Sequence, residues 1–160
     1  MQATLLLRAL ISTTSGARGW FVSLLTDPYF EPVFVPPIDE AFLSALCDNP
    51  DPNIKLMAMN VAMPTAMEVT HSLNGSKDLA ESSQMTARRA SILVTELIDR
   101  LPELKATLES LLSAVSINGD ENQKNDGDKD VKEWIKFCKK WGYGVPEKDA
   151  IRKRLESLLS

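Results

Sequence analysis

The residues best suited to chemistry lie near the start of the chain, in Ser12-Thr13-Thr14-Ser15-Gly16-Ala17-Arg18-Gly19-Trp20. Hydroxyls, two glycines and an arginine cluster where a helix is expected to begin. Exposed amides at a helix N-terminus, with a guanidinium beside them, can seat an anion. Thr14, Ser15, Gly16 and Arg18 are therefore the candidate anion-binding residues. The segment lacks the G-x-x-x-x-G-K-[ST] pattern and no strand precedes it, so it is not a P-loop. The simpler reading is a tight turn between two helices with hydroxyl caps.

Other constellations are weaker. Glu68-x-x-His71 is half of a di-iron helix signature, but His71 is the only histidine, so one chain cannot supply the other half. A local Glu68–His71 ion pair or a hydrogen-bonded helix end is the expectation, and no metal is expected. Cys47 and Cys138, the only cysteines, with His71, match no cysteine-nucleophile signature. No catalytic residue and no cofactor are assigned. Arg88-Arg89, Lys139-Lys140 and Arg152-Lys153-Arg154 are the basic clusters that would meet phosphate. The net charge of −4 opposes nonspecific nucleic-acid binding. A pocket around Asn60, His71 and Arg88/Arg89 would argue for an enzyme; a dry methionine-lined core there would argue against one.

The elements that must carry these residues read as helices throughout. Residues 2–11 form a short one, and Leu5, Leu6, Leu7, Leu10 and Ile11 supply its core stripe. Thr14 or Ser15 caps a second, running to about Leu25 with Trp20, Phe21 and Leu24 inward. These apolar stripes favour folded helices over a cleaved organellar transit peptide, although the first acidic residue is Asp27. Residues 27–38, DPYFEPVFVPPI, hold four prolines and read as an extended, polyproline-like strap. Its aromatics are expected to pack onto the helices; Tyr29, Phe30 and Phe34, if exposed, would instead form a patch for a partner protein.

Asp39 caps a helix over 40–47, and a turn over 48–53 follows. Residues 54–73 are apolar on all sides and read as a buried central helix, kinked at Pro64 and ended by Asn74-Gly75. Met57, Met59, Met63 and Met67 lie on it. They read as core, although methionine also builds adaptable binding surfaces. Helices over about 78–100 and from Pro102 onward follow.

Residues 118–130, NGDENQKNDGDKD, carry no apolar side chain and read as a flexible acidic linker. Beyond it, Val131, Trp134, Ile135, Cys138 and Trp141 share one helical face, and Ile151, Leu155, Leu158 and Leu159 another. Residues 132–160 hold eight basic against four acidic side chains. Lys139, Lys140 and Arg152 on this hairpin are candidate contacts for an acidic partner.

The fold expected is all-α. A five- or six-helix bundle over 1–117 carries a Pro-rich strap, and a helical hairpin is appended over 131–160. The function expected is a non-catalytic protein–protein interaction module, an adaptor or regulatory subunit. Its partner is another protein, acidic if the hairpin grips it, or a second copy of the chain. The other reading is a phosphate- or nucleic-acid-binding regulator using the 12–19 loop and the basic hairpin. No run of 18 uncharged apolar residues exists, so no membrane span is expected. Two cysteines with no evident pairing suit a reducing, cytoplasmic setting.

Overall fold

The computed structural model describes residues 2–117 and 128–160. Ten of the thirteen positions expected to form the linker, 118–127, lie outside the described residues. Among those described there are helices and no strand. They are α1 (Gln2–Ile11), α2 (Thr14–Thr26), a 3-10 helix (Pro28–Phe34), α3 (Glu40–Asp48), α4 (Pro50–Leu73), α5 (Lys77–Leu97), α6 (Pro102–Ser116), α7 (Lys129–Lys140) and α8 (Val145–Leu159). Before α7, six α-helices and a 3-10 segment are present.

The boundaries follow from local chemistry. Thr13 caps α2, its Oγ1 accepting from the Gly16 amide at 3.1 Å. Asp39 caps α3 through the Phe42 amide at 3.0 Å. Two helices end alike. At α4, Gly75 takes φ +74°, Ser76 N donates to His71 O at 2.8 Å and Gly75 N to Ser72 O. At α7, Gly142 takes φ +67°, Tyr143 N donates to Cys138 O and Gly142 N to Lys139 O, both at 3.0 Å. Glycine accepts the left-handed turn that lets these amides reach back to the last carbonyls.

Three local expectations need correction. The proline strap is not extended: Pro28–Phe34 is a 3-10 helix. Asp27 Oδ1 accepts from the Tyr29 amide at 2.9 Å, and Pro28 sits in the first turn, where its missing donor costs nothing. The turn expected over 48–53 is largely helix, since α4 begins at Pro50, and Pro64 stands inside it. The one non-helical residue within Pro50–Leu73 is Asp51, held extended ahead of Pro52. On α1, Ile11 is buried, but Leu5, Leu6 and Leu10 are exposed. This helix packs on α2 and α3 at the edge of the bundle, so only one side of it is covered.

The core is one continuous cluster. Phe21 and Leu25 from α2, Leu46 from α3, Met57 and Val61 from α4, Leu93 and Leu97 from α5, and Leu104 and Leu108 from α6 meet in it. Trp134 and Cys138 from α7, and Ile151 and Leu155 from α8, belong to the same cluster. The C-terminal hairpin thus lies against α4 and α6. Thr70 Oγ1 also donates to Glu147 Oε1 at 3.1 Å, while Glu147 Oε2 accepts from the Gly144 amide at 3.0 Å. One carboxylate therefore ends the turn and ties α8 to α4.

Candidate functional site

Among the described residues, the most heavily bonded side chain is Arg89 on α5, which is fully buried. Its Nε and Nη2 donate to Glu31 Oε2 at 3.0 and 2.8 Å. Its Nη1 donates to the carbonyls of Leu24, Leu25 and Asp27 at 3.2, 3.3 and 2.8 Å. The guanidinium lies 5.1 Å from the Phe34 ring centroid. Arg88 Nη2 reaches Glu31 Oε1 at 2.6 Å. The two hydrogen-bonded arginines hold the Glu31 carboxyl below the usual glutamate range, Arg89 contributing most. The Arg88-Arg89 pair therefore closes the end of α2 and fixes the 3-10 segment, and both guanidinium groups are engaged within the chain.

The junction of α2 with that segment, at Thr26 and Pro28, borders an open groove of about 740 Å³. Thr26 and Pro28, Met63, Pro64 and Met67 of α4, and Met85 of α5 line it. Asp78 and Glu81 also line it, and among the described residues no lysine or arginine does. Lys77 meets Glu81 at 3.8 Å outside the groove. Pro64 lies inside α4 and has no amide, so the Asn60 carbonyl one turn earlier goes without the usual helical hydrogen bond. The four methionines of α4 thus divide: Met57 is in the core, Met59 is half-buried against it, and Met63 and Met67 face the groove.

The other candidate residues are scattered. Thr14 and Ser15 are exposed, while the Gly16 amide is taken by Thr13 and the Ala17 amide by the Thr13 carbonyl at 2.9 Å. A Cβ on Gly16 would stand 2.1 Å from the Leu10 carbonyl oxygen, so glycine is there for the close α1–α2 turn. Arg18 is exposed on α2. Tyr29 is 80% exposed and stacks edge-on to half-buried Phe30 at 5.3 Å, whereas Phe34 is buried and cannot join a surface patch. On the hairpin, Lys140 lies over the Trp141 ring at 5.6 Å, and Trp141 is half-exposed rather than part of the inner face. Arg152 pairs with Asp149 and Glu156, and Lys153 with Asp149. Lys139 is exposed on α7.

Glu68 faces Arg154 of α8 at 3.8 Å instead of pairing with His71. Cys47 is half-buried and Cys138 buried, and burial is the main cause pushing both thiols up. Among the described residues, no three His, Cys, Asp or Glu side chains converge to hold a metal ion. No described helix is long and apolar enough to cross a membrane.

The fold and its surfaces define an all-helical protein whose C-terminal hairpin completes the bundle. Residues 2–158 match the family described as uncharacterised conserved protein UCP020893, and the chain belongs to that family. No curated protein and no solved structure matches the chain.

Proposed function

We propose that the protein is a non-catalytic interaction module that grips another protein through the groove between α4, α5 and the 3-10 segment. The observation that carries this reading is the lining: Met63, Met67 and Met85 in an open groove, with Asp78 and Glu81 along it. Methionine side chains are flexible and polarisable, so they mould to varied apolar partners. The carboxylates favour a partner segment with a basic flank. Exposed Tyr29, next to Pro28 of the groove wall, adds an aromatic contact of the kind that anchors interfaces. The acid-seeking role expected of the hairpin has less support, because Arg152 and Lys153 are spent on Asp149 and Glu156.

Site-specific photo-crosslinking in the native cell tests the proposal. A photoreactive side chain at Ser82, in the groove, gives a discrete heavier adduct. The same group at Glu109, exposed on α6, gives none. Adduct formation that is equal at both sites, or absent at Ser82, would refute the groove as the gripping surface.

A further inference from the structure

A second cavity, of about 520 Å³, opens between α4, α5 and α8 on residues that the groove does not use. Its volume lies in the range of small-molecule sites. Glu68, Val69, Ser91, Ala150, Arg154 and Leu158 are among its walls.

Arg154 is unlike Arg89. Every nitrogen of the Arg89 guanidinium has a close acceptor. Among the described residues, Arg154 has only a 3.3 Å hydrogen bond from Nη1 to Ser91 Oγ. Its Nη2 stands 3.8 Å from Glu68 Oε2, beyond hydrogen-bond length, and its Nε is buried with no partner. Both side chains of this loose ion pair are 27% exposed, so they are partly stripped of water with no hydrogen bond between them. A buried donor left open is costly and calls for an explanation. Lys153 at the same cavity is already held by Asp149 at 2.9 Å, which leaves Arg154 as the under-bonded cation among the described residues that line it.

We infer that this cavity binds a small α-amino acid with an aliphatic side chain. The inference goes beyond the groove reading and stands without it. A lone anion entering here meets the Glu68 carboxylate, and a lone amine meets Arg154. A zwitterion satisfies both: its carboxylate takes the Arg154 guanidinium, and its ammonium takes Glu68. Val69, Ala150 and Leu158 supply the apolar wall for the side chain. Ligand entry requires the Glu68–Arg154 pair to open, and a pair held at 3.8 Å without a hydrogen bond resists this little.

Calorimetric titration of the full chain with L-leucine, isocaproate and isoamylamine tests this. The second probe lacks the ammonium and the third lacks the carboxylate. The expected result is saturable binding of one leucine per chain, with each half-molecule at least about tenfold weaker. Glu68→Gln weakens leucine by about tenfold and leaves isocaproate no weaker. Ser157→Phe, at an exposed position on the cavity wall, fills the cavity and abolishes binding while the thermal transition is kept. The inference is overturned by the absence of saturable leucine binding to the wild-type chain. It is equally overturned if isocaproate binds as well as leucine, or if leucine binding survives both substitutions unchanged.

Discussion

Glu31 Oε2 accepts two hydrogen bonds from Arg89, at 3.0 and 2.8 Å, across 58 residues of sequence. The same guanidinium holds three carbonyls at the end of α2. One buried side chain thus joins α2, the 3-10 segment and α5, and fixes the wall of the methionine groove.

Replacing Arg89 with Met should be costly even though the volume is nearly kept. The carbonyls of Leu24, Leu25 and Asp27 would lose a buried donor, at a cost of about 2–4 kcal/mol. Urea denaturation reads this as a lower midpoint. An unchanged midpoint would mean that water replaces the guanidinium without loss.

The Glu31 carboxyl, held below its ordinary value of 4.5, makes stability depend on pH. A carboxyl with a depressed folded-state pKa stabilises fully above its unfolded value and loses that contribution as pH falls through the folded value. Glu40, lowered chiefly by its hydrogen bond to Arg100, and Asp149, lowered first by Lys153 and then by Arg152, act in the same direction. Stability should therefore fall as pH drops below about 4.5, and Glu31→Gln should flatten that fall. Denaturation midpoints for both proteins from neutral to acid pH check the sign; a parallel decline would contradict it.

Two glycines in α2 should respond oppositely to alanine. A Cβ at position 16 meets the Leu10 carbonyl at 2.1 Å and Thr13 Oγ1 at 2.9 Å, whereas one at position 19 meets nothing within 4 Å. Gly16→Ala should destabilise by about 1–3 kcal/mol through forced displacement of α1. Gly19→Ala should stabilise by about 0.5–1 kcal/mol through helix propensity. Paired thermal melts decide, and equal shifts would contradict the close α1–α2 approach.

Tyr143 reports on the docking of the hairpin. Burial pushes its phenol up to about 12, and among the described residues its hydroxyl has no hydrogen-bond partner. Spectrophotometric titration against Tyr143→Phe should assign it an ionisation near pH 12. A Tyr143 component titrating close to 10 would mean that the hairpin leaves the phenol in water.

Much of the helical framework was legible because its signals are local. Asp39 before Glu40, Asn74-Gly75 after Leu73, and Pro102 at a first turn each act within a few residues. Thr13, rather than Thr14 or Ser15, caps α2, a shift of a residue or two within a run of hydroxyls that could all serve. The proline segment misled because prolines forbid an α-helix yet fit a 3-10 turn once Asp27 caps it. The role of Arg89 was not legible. Arg88-Arg89 resembles any basic surface pair until the fold brings Glu31 to it. The methionines on α4 repeat at helical spacing whether they face core or solvent. Only the packing of α5 and the 3-10 segment separates Met57 from Met63 and Met67.

The groove is tested most directly by the oxidation of its methionines. Brief peroxide treatment of the purified chain should oxidise Met63, Met67 and Met85 faster than buried Met57, with half-buried Met59 as a control outside the groove. The same treatment in the native cell should protect Met63, Met67 and Met85 severalfold and leave Met59 unchanged. Identical oxidation of the groove methionines in both settings would contradict the proposal that a partner protein occupies the groove.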